Sequence, residues 1–452
     1  MAKKRKKDPN KMIKMPVLNP NAAGIDIGSR SHFVCVSQDN VKEFTSFTVD
    51  LHQIAKHLAF YGVKTVALES TGFYWQQLFT LLQSYGFEVI LVNARHVKNV
   101  KGHKTDVVDS KWLQLLHSIG LLSNSFQPDI FTKELRQYVR HRKSLIETSS
   151  RYISKMNKSL VLMNIQLKTV LRDLTGESGL KVIRAILEGE RNPVRLAKNV
   201  GKNVKASRKD IEKALEGNWR EEHLFELEQN YSLHQFTWAK IRETDNQIET
   251  LLKKKEDDHY KETKSKPYVK RKARQKNDPH FDISQYAHQM TNGIDLTQID
   301  GVGVGTVMAL MSETGFDLKS NFHSAKHFSS WLGFAPNRKI TGGKIISSNT
   351  PKVKNPLSKA IRDAANAAGN SRGKLGDFFR RIAYRKGRIV AIIATIRKIS
   401  VIIYKMLENQ KSFCYEYSKQ ESQRFKQIQI NKTIKSIKKL GISQQDLAVA
   451  LN

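Results

Sequence analysis

The feature that most constrains the fold is an alternation of strand-like and helix-like segments near the start of the chain. Short apolar runs, rich in β-branched residues and separated by helical patterns or glycine turns, are typical of strands in an α/β sheet. The strand-like runs are residues 23–28, 32–36, 63–68 and 87–92, and the helical patterns are residues 50–60 and 76–86. In such sheets, functional side chains lie at the carboxyl ends of strands.

Four carboxylates fall at defined points of this pattern. Asp26 stands between Ile25 and Ile27, so it alternates onto the opposite strand face, which is either solvated or, if buried, needs a partner or a metal. Glu69 follows the third strand-like run. Asp106 and Asp109 are three residues apart at the start of a helical pattern and therefore share a helix face. Alone, such a pair is typical of an ordinary solvated helix start.

Taken in order, the four carboxylates fit a ribonuclease-H-like sheet. There, carboxylates from a central strand, a neighbouring strand and a following helix converge on two divalent cations. Ligands that are all oxygen favour Mg²⁺ or Mn²⁺. Lys101, His103 and Lys104 precede the helix and are candidates to hold a phosphate.

The charge of the chain indicates a polyanionic partner. Its 77 Lys and Arg residues against 42 Asp and Glu give a net charge of +35, which favours nucleic acid. An anionic membrane surface is the alternative, but the sequence shows neither a membrane-spanning run nor a signal peptide. We therefore expect a cytoplasmic, nucleoid-associated protein. Cys35 and Cys414 lie far apart outside any zinc-ligand spacing, which argues against a disulfide framework and a structural zinc.

The composition divides the chain into six predicted segments. They are a basic tail (1–20), the α/β domain (21–130), a helical, coiled-coil region (131–255), a basic linker that is disordered or ordered by RNA (256–290), a mainly helical C-terminal domain (291–412) and a basic helical tail (413–452).

Gly301 and Gly303 open the C-terminal domain. Their spacing before a helical pattern resembles a helix-hairpin-helix turn, in which backbone N–H groups hold a DNA phosphate. A bare structural turn is the alternative. A nucleotide-binding loop is disfavoured because no Lys-Ser/Thr pair follows. Four further candidates for nucleic-acid contact are Arg338, Lys344, Lys352 and Lys354.

Several motifs together resemble the DEDD transposases of the insertion sequence 110 family. They are GIDIG (24–28), LESTG (68–72), KTDVVD (104–109), GVG (301–303), LGFAP (332–336) and TGGK (341–344). GGKIISS (342–348) and KVKN (352–355) are similar to the 1111 subgroup of that family.

The resemblance implies a metal-assisted DNA recombinase guided by a bridge RNA. It implies a RuvC-like DEDD domain with Asp26, Glu69, Asp106 and Asp109 as its acidic tetrad, a coiled coil used in dimerisation, and a C-terminal transposase domain. Active sites are composite in the family, so a dimer or tetramer is expected. The family's nucleophile is a serine, whereas this chain carries Thr341 at the matching position.

The threonine leaves three interpretations open. Thr341 is the nucleophile, although its methyl group crowds the attacking oxygen; Ser347 or Ser348 serves instead; or this copy is inactive. Two rival functions also remain, a RuvC-like endonuclease that uses water as its nucleophile and a non-catalytic nucleic-acid-binding protein.

Overall fold

The computed structural model describes residues 16–70, 72–93, 105–259, 275–351, 353, 355–412 and six positions between 427 and 437. For residues 256–259 it describes the backbone alone. The chain divides into two compact units, with the boundary between Gln127 and Pro128. In the described residues, no helix combines the length and apolar character needed to cross a membrane.

A five-stranded mixed sheet forms the centre of the first unit. Its strands are β1 (Ala22–Ile27), β2 (Ser31–Ser37), β3 (Asn40–Thr45), β4 (Thr65–Glu69) and β5 (Glu88–Val92). Their spatial order is β3-β2-β1-β4-β5. β1 pairs antiparallel with β2 and parallel with β4, and β4 pairs parallel with β5. This mixed sheet is compatible with the ribonuclease-H-like start predicted from the sequence.

Helices cover both faces of this sheet. They are α1 (Thr48–Phe60), α2 (Trp75–Ser84) and α3 (Asp106–Ser118). Ile25, Ile27 and Leu68 share a buried core with side chains of α1 and α2. Ala67 packs with Leu113 of α3 instead. Because strand residues alternate between faces, Asp26 and Glu69 point to the face that carries α3.

Two long helices of the second unit pack along each other. They are α4 (Ile130–Leu162) and, after four short helices, α9 (Glu221–His259). The short helices are α5 (Leu167–Val170), α6 (Glu177–Leu187), α7 (Pro193–Lys198) and α8 (Arg208–Leu215). Arg142 pairs with Asp245, whereas Ser159 donates to Glu226 at 3.2 Å, so α4 and α9 run antiparallel within one chain.

The structure narrows the linker predicted for residues 256–290. Helix α9 continues to His259, and Asp282 caps a further helix, α10 (Ile283–Met290), by accepting from the Ser284 N–H. Ile283 and Ala287 of α10 are buried. Residues 283–290 form a helix of only two turns beside a charged run, which is too short for a clear helical periodicity. Residues 260–274 lie outside the described part.

Within residues 296–409, a short 3₁₀ helix (Leu296–Gln298), six α-helices and a hairpin follow. The helices are α11 (Val304–Thr314), α12 (Leu318–Asn321), α13 (Ala325–Trp331), α14 (Pro356–Ala368), α15 (Lys374–Lys386) and α16 (Arg388–Asn409). The hairpin strands are β6 (Lys339–Thr341) and β7 (Lys344–Ser347). Arg140 of α4 donates two hydrogen bonds to the buried Glu313 of α11, at 2.9 and 2.8 Å, which fixes α11 to the long helices.

Candidate active site

Asp26 and Glu69 lie side by side at the end of two neighbouring parallel strands. The register pairs Ile25 with Leu68, so the next residue of each strand is a carboxylate. β1 is the central strand of the sheet and is buried at every position except Asp26, which is half-buried. The sheet therefore presents two acids at the same edge and on the same face.

Helix α3 adds the other two acids. Thr105 caps it by accepting from the Val108 N–H at 3.3 Å, so Asp106 and Asp109 fall in its first turn. Gln114 of α3 donates to the carbonyl oxygen of Ala22 at 3.2 Å and accepts from Gln38 at 2.6 Å. These two hydrogen bonds fix the helix to β1 and to the turn after β2.

Gly24 makes this approach of α3 possible. A Cβ at this position would lie 2.3 Å from the backbone nitrogen of Gln114 and 2.7 Å from the carbonyl oxygen of Ser110. Any larger residue would push α3 away from β1. Sequence reasoning treated Gly24 as part of a motif and did not identify this role. The available signal was a glycine inside a strand pattern, which marks a close backbone approach.

The charges of the other three acids act on Asp26. Burial is the largest effect that raises the pKa of Asp26, from its ordinary 3.8 to about 6, and the negative charges of Glu69, Asp106 and Asp109 raise it further. A carboxyl with this pKa holds its proton more tightly than an exposed aspartate. The structure thus places the other three acids near enough to Asp26 to hinder its ionisation.

This set of donors fits a hard divalent cation in its chemistry. Every candidate ligand is a carboxylate oxygen, and a bound cation would offset the repulsion that raises the Asp26 pKa. Among the residues that the structure describes, no group of three or more Asp, Glu, His or Cys side chains lies close enough together to coordinate a metal ion. Lys101, His103 and Lys104 lie outside the described residues.

The second candidate group lies on the β6–β7 hairpin. Thr341 ends β6, Lys344 begins β7, and the two residues pair directly across the strands. Gly342 and Gly343 form the connection with φ angles of +54° and +76°, a conformation that side-chain-bearing residues rarely adopt. Thr341 and Lys344 are exposed and lie on the same hairpin face, so a hydroxyl stands beside an ammonium group at the tip.

The alternative nucleophiles lie farther from this tip. Ser347 pairs with Lys339 at the base of the hairpin and is half-buried, whereas Ser348 is exposed. Arg338 precedes β6 and is exposed. Lys352 and Lys354 lie outside the described residues. Of the candidate hydroxyls, Thr341 is the one that is both exposed and paired across the strands with a lysine.

The glycine turn before α11 has a structural explanation. Gly301 has a φ of +84°, and a Cβ there would lie 2.1 Å from the carbonyl oxygen of Ala364 in α14. Gly303 is the N-cap residue of α11 and has open space around its Cα. Close packing thus accounts for Gly301, while phosphate contact at this turn stays a prediction.

Comparison with known proteins connects both groups to one family. A DEDD transposase model of the IS110 family matches residues 23–165, which include all four carboxylates. A model described as transposase IS116/IS110/IS902 family matches residues 295–379, which include Thr341 and Lys344. A search of curated proteins found no match. The two family matches together span about half of the chain, and the chain belongs to the IS110 family of transposases.

Proposed function

We propose that this insertion-sequence transposase cuts and rejoins DNA with a hydroxyl nucleophile, Thr341, and a metal-binding acidic tetrad. The tetrad is Asp26, Glu69, Asp106 and Asp109. The observation that carries the proposal is the environment of Asp26, whose pKa is raised to about 6 by burial and by the other three acids. A carboxyl group whose pKa is raised by burial and by nearby acids is typical of catalytic sites.

Thr341 is the group that would form the covalent bond to DNA. Its Oγ attacks a backbone phosphorus, an Oγ–P bond forms, and the bond between phosphorus and one DNA oxygen breaks. The threonine loses its proton to solvent, and the departing DNA oxygen gains one. The phosphoester bond is conserved on the protein, so rejoining needs no nucleotide cofactor.

The surroundings of Thr341 support this assignment. The two glycines after it add no side chains, so a DNA backbone can approach the hydroxyl closely. Lys344 lies directly across from it and supplies positive charge to a phosphate. Thr341→Ser would retain the hydroxyl and remove the methyl group that crowds its approach.

We propose Mg²⁺, with Mn²⁺ as a substitute, as the resident metal. The four carboxylates of the tetrad would hold it, and a bound ion supplies Lewis-acid activation of the phosphate. The chain's own contribution is to keep the ligands together through the β1–β4 register and the close contact of α3 with Gly24.

We further propose a guide RNA and a homo-oligomer of two or four subunits as partners. The support is the resemblance to the RNA-guided family members and the net charge of +35, which suits polyanionic partners. In that arrangement base pairing reads the target sequence, while the protein contacts backbone and shape.

Covalent trapping tests the nucleophile. Purified protein, the flanking noncoding RNA and Mg²⁺ are incubated with labelled element-end DNA, and protein–DNA adducts are resolved under denaturing conditions. We expect Thr341→Ala to lower adduct formation by on the order of 10³-fold or more. Thr341→Ser should retain it. Thr350→Ala is the matched control, since it makes the same substitution at a threonine just after the hairpin.

The same assay separates the rival functions. Adduct lost in Ser347→Ala or Ser348→Ala but kept in Thr341→Ala would move the nucleophile to that serine. Cleavage without adduct in the parent protein would indicate a water-using endonuclease. Unchanged recombination in Asp26→Asn and Asp109→Asn would indicate that the tetrad takes no part in the chemistry.

A further inference from the structure

The β6–β7 hairpin has two chemically different faces. Ile340 pairs directly with Ile345, and Thr341 pairs with Lys344. Since neighbouring strand residues point to opposite faces, the isoleucines form one face, and the hydroxyl and ammonium group form the other. A register shift between Lys339 and Ile340 leaves Ile346 without a cross-strand partner.

The two cross-strand isoleucines of the hairpin are both exposed. Ile340 is 59% exposed and Ile345 58%, and Ile346, which follows in the chain, is 69% exposed. An isolated two-stranded hairpin is marginally stable in water, so an uncovered apolar face would gain stability from any surface that covers it. The exposure thus points to a ligand that packs on this face.

The base of the hairpin is held by contacts, whereas the described residues leave open space around the tip glycines Gly342 and Gly343. The Asn337 N–H donates to the carbonyl oxygen of Asn349 at 3.0 Å, which closes the two ends of the segment. Val353 packs on Gly333, where a Cβ would lie 2.5 Å from a Val353 methyl group. A ribbon fixed at its base and open at its tip is suited to enter a groove.

The sequence that contains the hairpin is strongly basic, which favours an anionic ligand. Residues 318–362 contain nine Lys and Arg and not a single Asp or Glu. A protein partner of this basic segment would have to be acidic and also cover the isoleucines, whereas DNA offers phosphates beside apolar base faces. Charge complementarity therefore favours a DNA duplex over a second protein.

We propose that Ile340 and Ile345 form an apolar wedge that opens a base step next to the phosphate attacked from the opposite face. Isoleucine is among the side chains that proteins insert between base pairs to unstack and kink DNA. The position of the wedge rests on the proposed function, because Thr341 defines which phosphate is attacked. The unstacking itself does not require Thr341 to react.

Base unstacking can be measured without cleavage. The full-length Thr341→Ala protein, with the flanking RNA, is mixed with element-end duplexes that carry 2-aminopurine at successive positions around the cleavage site. We expect a several-fold rise in fluorescence at one or two positions. Ile340→Thr/Ile345→Thr should abolish the rise, and Ile340→Val/Ile345→Val should preserve it. Threonine and valine are both β-branched and nearly equal in shape, so a difference between the two double variants reports the loss of apolar character alone.

The outcomes separate this proposal from the proposed function. Equal fluorescence from the threonine and valine variants would overturn the wedge, even if covalent adducts form normally. A change in oligomeric mass of the threonine variant without DNA would also overturn it, because the face would then be a protein interface. A rise that depends on the isoleucines would support the wedge, even if Thr341 proves not to be the nucleophile.

Discussion

At the scale of single residues, burial and the neighbouring acids make the ionisation of Asp26 unfavourable. Its carboxyl is partly buried and faces three further negative charges, so ionisation is less favourable in the folded chain than in the unfolded chain. The folded pKa of about 6 lies above the ordinary 3.8. The folded state therefore binds more protons between these values, and its stability falls as pH rises through that window.

We expect Asp26→Asn to stabilise the metal-free protein at pH 7.5. The gain should be on the order of 1 kcal/mol after allowance for solvent screening, and it should vanish below about pH 4, where both chains carry a neutral group. Thermal unfolding in chelator at pH 4 and 7.5 measures it. Asp39→Asn, at an exposed turn between β2 and β3, is the control. Equal melting temperatures for Asp26→Asn and the parent at pH 7.5 would contradict the pKa shift.

At the scale of secondary-structure elements, one glycine determines where α3 lies. Gly24→Ala would place a methyl group against backbone atoms of Gln114 and Ser110, which cannot move as a flexible side chain can. We expect a loss of about 1–3 kcal/mol or more in unfolding free energy together with loss of recombination. Gly305→Ala is the control, because it lies in α11 with open space around it. Parent-like stability for Gly24→Ala would refute the contact.

The antiparallel pair α4 and α9 contains a buried ion pair. Arg142 and Asp245 have side chains that are 2% and 3% exposed. Removing one partner leaves the other charge buried, so Arg142→Met should cost about 3–5 kcal/mol. The double variant Arg142→Met/Asp245→Leu should recover most of that loss in urea unfolding. A double variant as unstable as the single one would show that other contacts of Asp245, such as that with His280, dominate.

The strands and helices with a clear apolar periodicity within their own segment could be predicted from the sequence. The strands carrying Asp26 and Glu69 and the helix carrying Asp106 and Asp109 were recognisable from apolar periodicity. β3 and the β6–β7 hairpin were not predicted, because their exposed polar residues or their shortness give no clear alternation. Helix α15 was also missed. The closeness of Gly24 to Gln114 joins residues ninety positions apart, and no local pattern contains that information.

At the scale of the whole molecule, the net charge of +35 predicts how binding responds to salt. If six to ten phosphates are contacted, DNA affinity should fall by about 10³–10⁵ between 50 and 200 mM salt. Lys339→Gln and Lys344→Gln should each reduce the slope of log affinity against log salt by about 1. Fluorescence anisotropy titrations check this, with Lys181→Gln, whose partner is Glu177, as the control. An unchanged slope in the hairpin variants would exclude phosphate contacts there.

The reactivity of Cys35 can report local unfolding of the first unit. It lies on β2 directly across from Gly24, has no exposed surface, and burial raises the pKa of its thiol to about 11. The thiol is therefore inert towards alkylating reagents while β1, β2 and α3 stay packed. In a Cys414→Ser background, the alkylation rate of Cys35 would measure how often the tetrad's scaffold opens. A bound divalent ion that holds the four acids together should slow that rate.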